Sequence, residues 1–458
     1  MNIPELINKQ QQYFKLQHTK EISSRVSLLK ALKKEILSRE EDVYRALHKD
    51  FQKSQFETYL SEFAIVIAEL NLAIKNLSRW AKPKMVKPTA LTFPSLDYIY
   101  KEPYGTVLII GPWNYPFLLT LEPAIMAIAA GNTLVIKPSE LTTHTSNLVT
   151  EIFKKVFNEE HVATVQGGVE TATELLAQKW DYIFFTGSVP VGKIVAQAAA
   201  MHLTPVTLEL GGKSPGIIHE KNDLKLVARR LVWGKFINGG QTCIAPDYIL
   251  VNSKVKSDFI ECFKSEIERA YGEDPQKSED FPRIINDKNV SRLKSMLNDG
   301  NIIYGGKVDE SDRYISPTLI DEPELDSAVM QEEIFGPILP IFGYDTEEDI
   351  ENIVWRFEKP LSFYIFSKDK SFVKRLITKY SFGGGAVNDP LIHFGNHRLP
   401  FGGVGASGIG SYHGKRGFDT FSHEKSVSQR GNWIDPPVRY APYKGKLRLL
   451  KKMFKYFG

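Results

Sequence analysis

Two cysteines occur in the 458 residues, Cys243 and Cys262, and their neighbourhoods differ. Cys243 sits in GGQTCIAP, where two glycines let the backbone approach a ligand closely. Small and polar neighbours make a poor pocket for an inert core thiol, which is the plainer reading of any lone cysteine. The setting suits a nucleophile, which needs an exposed thiolate with amide donors beside it. Cys262, in FIECFKS, reads as a core residue. Glu209 lies in TLELGGKSP, at the end of an apolar run. Strand acids usually face water. Here Leu208 and Leu210 box the carboxyl in, and desolvation would raise its pKa towards that of a useful base. Asn114, in IIGPWNYP, is either a turn asparagine or an amide donor to a developing oxyanion.

Lys137 and Glu140 end another strand in VIKPSE. Surface charges are the plain reading, but this is where a parallel sheet holds a nucleotide ribose. Gly187 to Gly192 (GSVPVG) opens a helix after a strand and can offer its N-terminus to a phosphate. It is not GxGxxG, and Ile194 after Lys193 disfavours a P-loop. His393 and His397 stand four apart with no third ligand in view, so no metal site is expected.

These side chains become useful only where strand ends converge. Residues 107–110, 133–136, 162–165, 182–185 and 206–210 are five short apolar runs with helical stretches between them. That rhythm predicts βαβ units and a parallel sheet covered on both faces, a doubly wound α/β domain whose ligands sit at the carboxyl ends of the strands. After residue 210 the rhythm restarts, with a helix over 224–237, a strand over 248–251 and a helix over 255–271, so a second α/β domain is expected. The first eighty residues read as helices, with Val26, Leu29, Leu32 and Ile36 on one stripe and Phe63, Ile67, Leu70, Ile74 and Leu77 on another. Prolines 83, 88 and 94 break that pattern and predict a linker or a protruding hairpin.

Composition excludes several classes. Apolar residues make up 42% and charged ones 24%, as in ordinary folded proteins. Two cysteines cannot build a disulfide framework and point to a reducing compartment. The N-terminus lacks an apolar signal core, and the best apolar stretch anywhere in the sequence, 124–130, is too short to span a bilayer. A cytoplasmic protein is expected. The net charge of +4 is uneven: residues 444–458 hold six Lys or Arg and no acid, which leaves −2 on the other 443 residues. A near-neutral body argues against a nucleic-acid partner. Within the tail, Leu447, Leu450, Phe454 and Phe457 keep helical spacing among the six cations. That predicts either a terminal helix packed on the body or a dimer partner, or a cationic amphipathic helix in peripheral contact with the inner face of a membrane.

With PWNYP, KPSE, FTGS, LELGGKSP, GQTC, EEIFGP and PFGGVGASG in this order along the chain, the sequence resembles the aldehyde dehydrogenases over almost its whole length. GQTCIAPDY and SYHGKRGFDTFSH are similar to the class 3 branch, which acts on fatty, medium-chain and aromatic aldehydes. The resemblance implies a Rossmann-type cofactor domain (1–82 and 103–210), a catalytic domain (211–410) and a small bridging or oligomerisation element with the tail (83–102 and 411–458). It implies NAD or NADP as cofactor, an aldehyde as substrate and a homodimer. It further implies Cys243 as nucleophile, Glu209 as general base, and Asn114 with the Cys243 backbone N–H around the oxyanion. Lys137 and Glu140 would hold the adenosine ribose. Trp113, Phe185, Gly187, Ser188 and Gly192 would line the cofactor site, and Glu333 and Phe335 would position the nicotinamide ribose and ring. Cys243 would form a thiohemiacetal, hydride would leave to NAD(P)+, and Glu209 would activate the water that releases the acid. Two alternatives remain: a coenzyme-A-acylating relative, and a catalytically silent structural one.

Overall fold

The computed structural model describes residues 2–89 and 92–457, and the side chains of Met453, Tyr456 and Phe457 lie outside the described set. The five expected strands are present and parallel. Their spatial order is Val162–Thr164, Thr133–Lys137, Thr106–Ile110, Tyr182–Thr186 and Val206–Glu209. The chain starts in the middle of this sheet and adds strands first on one side, then on the other. The loops after Thr106–Ile110 and Tyr182–Thr186 therefore diverge, which opens a crevice between them. These two strands and Thr133–Lys137 are buried along their whole length because helices cover both faces. A two-residue strand, Gly408–Ile409, closes the edge antiparallel to Val206–Glu209.

Residues 210–214 carry the chain from Glu209 straight into a second sheet at Pro215–Ile218. The sequence reading did not find that strand: it is four residues long and opens on proline, so it shows no periodicity of its own. The second sheet has seven strands, in the order Asn301–Tyr304, Thr318–Asp321, Ile338–Tyr344, Tyr248–Asn252, Pro215–Ile218, Ser362–Phe366 and Gly384–Val387. All are parallel except the edge strand Asn301–Tyr304.

The proline-rich break is a hairpin. Lys84–Val86 pairs antiparallel with Ser95–Pro103, which pairs in turn with Ser422–Arg430 over nine residues. Ser422–Arg430 forms the outer edge, and its residues 423–429 are exposed. Just upstream, the helix Gly414–Thr420 packs on Leu118–Ala130 and Ala64–Trp80, so that part of 411–458 lies against the first sheet's helices. In the helical N-terminal region, Leu29, Leu32 and Ile36 are fully buried, as are Leu70 and Leu77. The tail forms the helix Leu447–Phe457. Its Leu447, Leu450 and Phe454 are 61%, 37% and 47% exposed, so the body of its own chain does not cover this face. That corrects one of the two expected resting places.

Candidate active site

The backbone before Cys243 is locally strained. Asn238, Gly239 and Gly240 all take left-handed φ values of 55°, 62° and 77°. Gly240 is also pressed against another segment: a Cβ there would lie 2.3 Å from the Gly336 carbonyl oxygen. Gln241 holds the turn in place. Its Nε2 donates to the carbonyls of Asn238 (2.9 Å) and Arg283 (3.1 Å), and its Oε1 accepts the Ile285 N–H at 2.9 Å. The Asn238 N–H donates to Glu57 Oε1 at 2.8 Å.

The same turn is tied to Asn114. Asn238 Nδ2 donates to the Asn114 carbonyl at 2.7 Å, and Asn114 Nδ2 donates to the Gln241 carbonyl at 3.1 Å. Asn114 is buried, and a side-chain amide has two protons, so one remains beyond that bond. Below it, the fully buried pair Lys53–Glu62 (2.8 Å) anchors the loop. Glu62 Oε2 accepts the N–H groups of Phe117 and Leu118, while Lys53 Nζ lies 4.6 Å from the Tyr115 ring centre. Tyr115 Oη meets Thr242 Oγ1 at 2.7 Å.

The sequence reading missed these positioning residues: Lys53, Glu57, Glu62, Asn238 and Gln241. One signal was present. Glu62 and Glu69 stand seven residues apart on the buried face of a helical stretch, where a solvated charge has no place.

Cys243 and Glu209 open into one pocket of about 940 Å³, mouth included. Leu119, Trp233, Ile237, Leu391, Ile392 and Phe401 make much of its wall. Neither carboxyl oxygen of Glu209 has a hydrogen-bond partner, and burial holds its pKa well above the usual carboxylate range. An exposed thiolate was expected at Cys243. The structure holds a half-buried thiol instead, its pKa pushed up by burial and then by the charges of Glu333 and Glu209. Its own N–H and that of Ile244 act in the opposite direction.

The other expected residues gather at the switch point of the first sheet. Lys137 is buried and ion-pairs with exposed Glu140. Gly187 and Ser188 precede the helix Val189–Ala200, whose N-cap Ser188 makes no capping bond with its side chain. Phe185 and Gly192 lie beneath this surface. A Cβ on Gly187 would strike the Phe185 ring at 2.5 Å, and one on Gly192 would strike Leu210 at 2.6 Å. They shape the site from below. Trp113 meets Phe335 edge to face with ring centres 5.2 Å apart, and Phe335 holds a left-handed φ of 52°. Glu333 accepts the Gly212 backbone N–H; burial, reinforced by the charge of Asp247, pushes its pKa up to about 8. Lys235 was not anticipated: it is fully buried, its Nζ has no partner, and burial lowers its pKa to about 8.

This surface fits a dinucleotide. It offers an ion pair for ribose hydroxyls, a helix N-terminus with unused donors for phosphate, and an orphaned buried hydroxyl, Thr186 Oγ1, beside the pocket.

Known proteins match the chain along most of its length. The profile of the aldehyde dehydrogenase family matches residues 1–427. The chain is 49% identical to 4,4'-diaponeurosporen-aldehyde dehydrogenase of Staphylococcus aureus, covering 97% of each. It is 42% identical to the dimeric NADP-preferring aldehyde dehydrogenase of Canis lupus familiaris, over 97% of this chain and 99% of that one. A substrate-bound structure of Staphylococcus aureus AldH superposes with a TM-score of 0.97 at 48% identity, over 99% and 100% of the two chains. A Mycobacterium tuberculosis aldehyde dehydrogenase complexed with NAD+ gives a TM-score of 0.81 at 27% identity, over 90% and 86%. The family profile over residues 1–427 and relatives at 42–49% identity over nearly the whole chain lead to one assignment: this chain belongs to the aldehyde dehydrogenase family and oxidises aldehydes with NAD or NADP.

Proposed function

We propose that the chain converts long or bulky apolar aldehydes to carboxylic acids through a covalent intermediate on Cys243. The observation that carries this reading is the pocket itself: one thiol and one unpartnered carboxyl, Cys243 and Glu209, in walls that are almost all carbon. The sulfur attacks the carbonyl carbon and a C–S bond forms while the S–H bond breaks and its proton passes to solvent water at the pocket mouth. The free proton of the Asn114 amide and the Cys243 N–H stabilise the oxyanion. Lys137 and Glu140 hold the adenosine ribose, Gly187 and Ser188 the pyrophosphate, and Glu333, Phe335 and Trp113 the nicotinamide end. When bound, the dinucleotide supplies the hydride acceptor. Glu209 then takes a proton from water; the water oxygen bonds to the thioester carbon, the C–S bond breaks, and the departing thiolate takes the proton of the new carboxyl group, so carboxylate and thiol are released. An available carboxyl at this position favours water over coenzyme A as the acceptor. Product analysis with and without coenzyme A separates the two.

The name of the Staphylococcus aureus relative makes 4,4'-diaponeurosporen-aldehyde the first compound to try. The three-unit division, with a cofactor unit, a catalytic unit and a bridging sheet, belongs to the same proposal. The outer edge of Ser422–Arg430 and the dimeric relative support a homodimer formed through the bridging sheet. The exposed apolar face of Leu447–Phe457, ringed by lysines, supports peripheral contact with an anionic membrane at the cytoplasmic face. Among the described residues no helix is long and apolar enough to cross one. Binding to anionic vesicles at low salt, lost in a chain ending at Tyr443, is the expected outcome; equal binding would leave the helix to the dimer.

A steady-state panel of aldehydes of increasing chain length, run with both cofactors, tests the main reading. kcat/KM should climb with chain length. A preference for short, hydroxylated aldehydes would overturn it.

A further inference from the structure

Three aromatic side chains in the wall of the aldehyde pocket, Phe394, Phe401 and Tyr412, share one neighbour. That neighbour is the buried His413. Its imidazole lies nearly parallel to the Phe401 ring, at 15° with ring centres 5.1 Å apart. It meets Phe394 and Tyr412 edge to face, at 4.5 Å and 4.7 Å. A second imidazole, His393, lies at 25° to Phe401 with centres 6.1 Å apart. Phe401 also meets Phe394 and Tyr412 edge on, at 5.0 Å and 5.8 Å. Neither histidine belongs to the pocket lining. His413 instead lines a separate surface recess with His397, Arg398, Lys415 and Arg416. Its ring is therefore a partition between that recess and the aromatic wall.

We propose that His413, with His393, is a positioning residue that holds Phe401, Phe394 and Tyr412 as one rigid wall, and that this wall selects flat or straight apolar aldehydes over thick, puckered ones. The proposal rests on the apolar-aldehyde reading above. The backbone supports it. Phe401 and Tyr412 exchange two N–H···O bonds, of 3.0 Å and 2.7 Å, which fix these two wall residues to each other. His413 follows with a φ of 88°, a conformation that residues with a side chain seldom adopt. The next residue, Gly414, is pressed against the segment that carries His393 and Phe394: a Cβ there would lie 2.5 Å from the His397 carbonyl oxygen. The strained turn seats the imidazole against the wall, and packing on both sides holds it there.

Both imidazoles are neutral. Burial lowers the His393 pKa to about 4, and burial, followed by His393 and His397, lowers that of His413 to about 3. A neutral imidazole packs by its face as a small aromatic ring. His393 is steadied by Ser362, whose Oγ lies 3.3 Å from its Nε2. The wall stands beside the reacting pair: burial, and then the charges of Glu122, Glu209 and Cys243, raise the Tyr412 pKa. A close-packed wall that cannot swing imposes the full cost of overpacking on a substrate thicker than the slot. Without the His413 ring, space opens between the wall and the recess, so Phe401 and Phe394 can yield. A flat substrate gains little from that freedom, and a puckered one gains much.

The test compares benzaldehyde with cyclohexanecarbaldehyde, two six-membered rings that differ in flatness, using the full-length enzyme and NAD+. Intrinsic reactivity cancels when the ratio of their kcat/KM values is compared between variants. His413→Ala should lower the ratio of benzaldehyde over cyclohexanecarbaldehyde by roughly tenfold, the discrimination that about one methylene of space carries. The change should come chiefly from a lower KM for the puckered aldehyde, with KM for NAD+ unchanged. His413→Phe restores a ring and should keep the wild-type ratio. If His413→Ala does not fold, His393→Ala acts on the same Phe401 ring and should lower the ratio by about threefold, the scale of one aromatic pair. An unchanged ratio in whichever alanine variant folds, an equal loss for both aldehydes, or a His413→Phe ratio as low as that of His413→Ala overturns the clamp. Decanal against glyceraldehyde on wild-type enzyme separates the two ideas. No preference for decanal would sink the apolar-aldehyde reading, whereas a decanal preference with an unchanged ratio sinks the clamp alone.

Discussion

The two surfaces proposed to hold the dinucleotide and the aldehyde are built in different ways. The dinucleotide side is made of strand ends. Lys137 ends one strand and Gly187 and Ser188 follow another, so their positions are consequences of local chain order. The aldehyde side draws on Leu119, Trp233, Leu391, Ile392 and Phe401, which come from separate parts of the chain and share no local pattern. Between them, Asn238, Gln241 and Asn114 bind the two loops into one rigid piece. The contrast shows that polar ligation can be written in a short motif. An apolar wall is a sum of distant contributions, each of which alone looks like ordinary core.

Changing one side at a time should separate them. The largest effect belongs to the sulfur that both share. Cys243→Ser should lower turnover by at least about a thousandfold, since a serine alkoxide is scarcely available near neutral pH, while NAD(P)H binding followed by fluorescence stays intact. Cys262→Ser should remain close to wild type. Residual full activity in Cys243→Ser would remove the covalent route. Next, Glu209→Gln should leave a burst of about one equivalent of NAD(P)H followed by turnover slower by roughly a hundredfold in stopped flow. Equal slowing of both phases would place the residue before hydride transfer.

On the aldehyde side, Ile392→Asp brings a charge to a half-exposed apolar wall position. It should raise KM for an apolar aldehyde by roughly tenfold and leave KM for NAD+ unchanged. Movement of both constants would mean that the two surfaces are not separable. On the dinucleotide side, Glu140→Gln removes a charge that should repel a 2′-phosphate. The kcat/KM ratio for NADP over NAD should rise by about threefold, a small effect because Glu140 is exposed.

The smallest effect concerns the support beneath both surfaces. Glu57 is buried against the Asn238 N–H, and burial raises its pKa from 4.5 to about 7. The folded chain keeps that proton where the unfolded chain has lost it. This contribution to stability is therefore complete below pH 4.5 and fades as pH rises through 7. Glu57→Gln should flatten the fall of melting temperature across that window; an unchanged slope would show that the carboxyl is not protonated there.

Legibility followed range. The five strands of the first sheet were readable because both faces are buried and the runs are continuously apolar. Glu209 was readable because its flanking leucines announce burial. Pro215–Ile218 was not, although it is internal to the second sheet, because four residues are too few to show a period. Lys53 and Glu62 were missed as a pair, since nothing in nine residues of spacing says that they meet in the core. The state of Cys243 was also misjudged: neighbouring residue types suggested exposure, whereas the surrounding walls and carboxyls raise the thiol pKa. The apolar face of the tail helix was visible in its spacing, but spacing does not say what covers a face.

By itself, the sequence determined which residues could do chemistry and that strand ends would present many of them, because residue type and strand periodicity are local properties. Only the tertiary structure decided the shape of the aldehyde pocket, the burial of the thiol and the tie between Asn114 and Asn238. Those depend on burial and on contacts between segments tens to hundreds of residues apart, and desolvation is a property of the whole surrounding volume rather than of any stretch of chain.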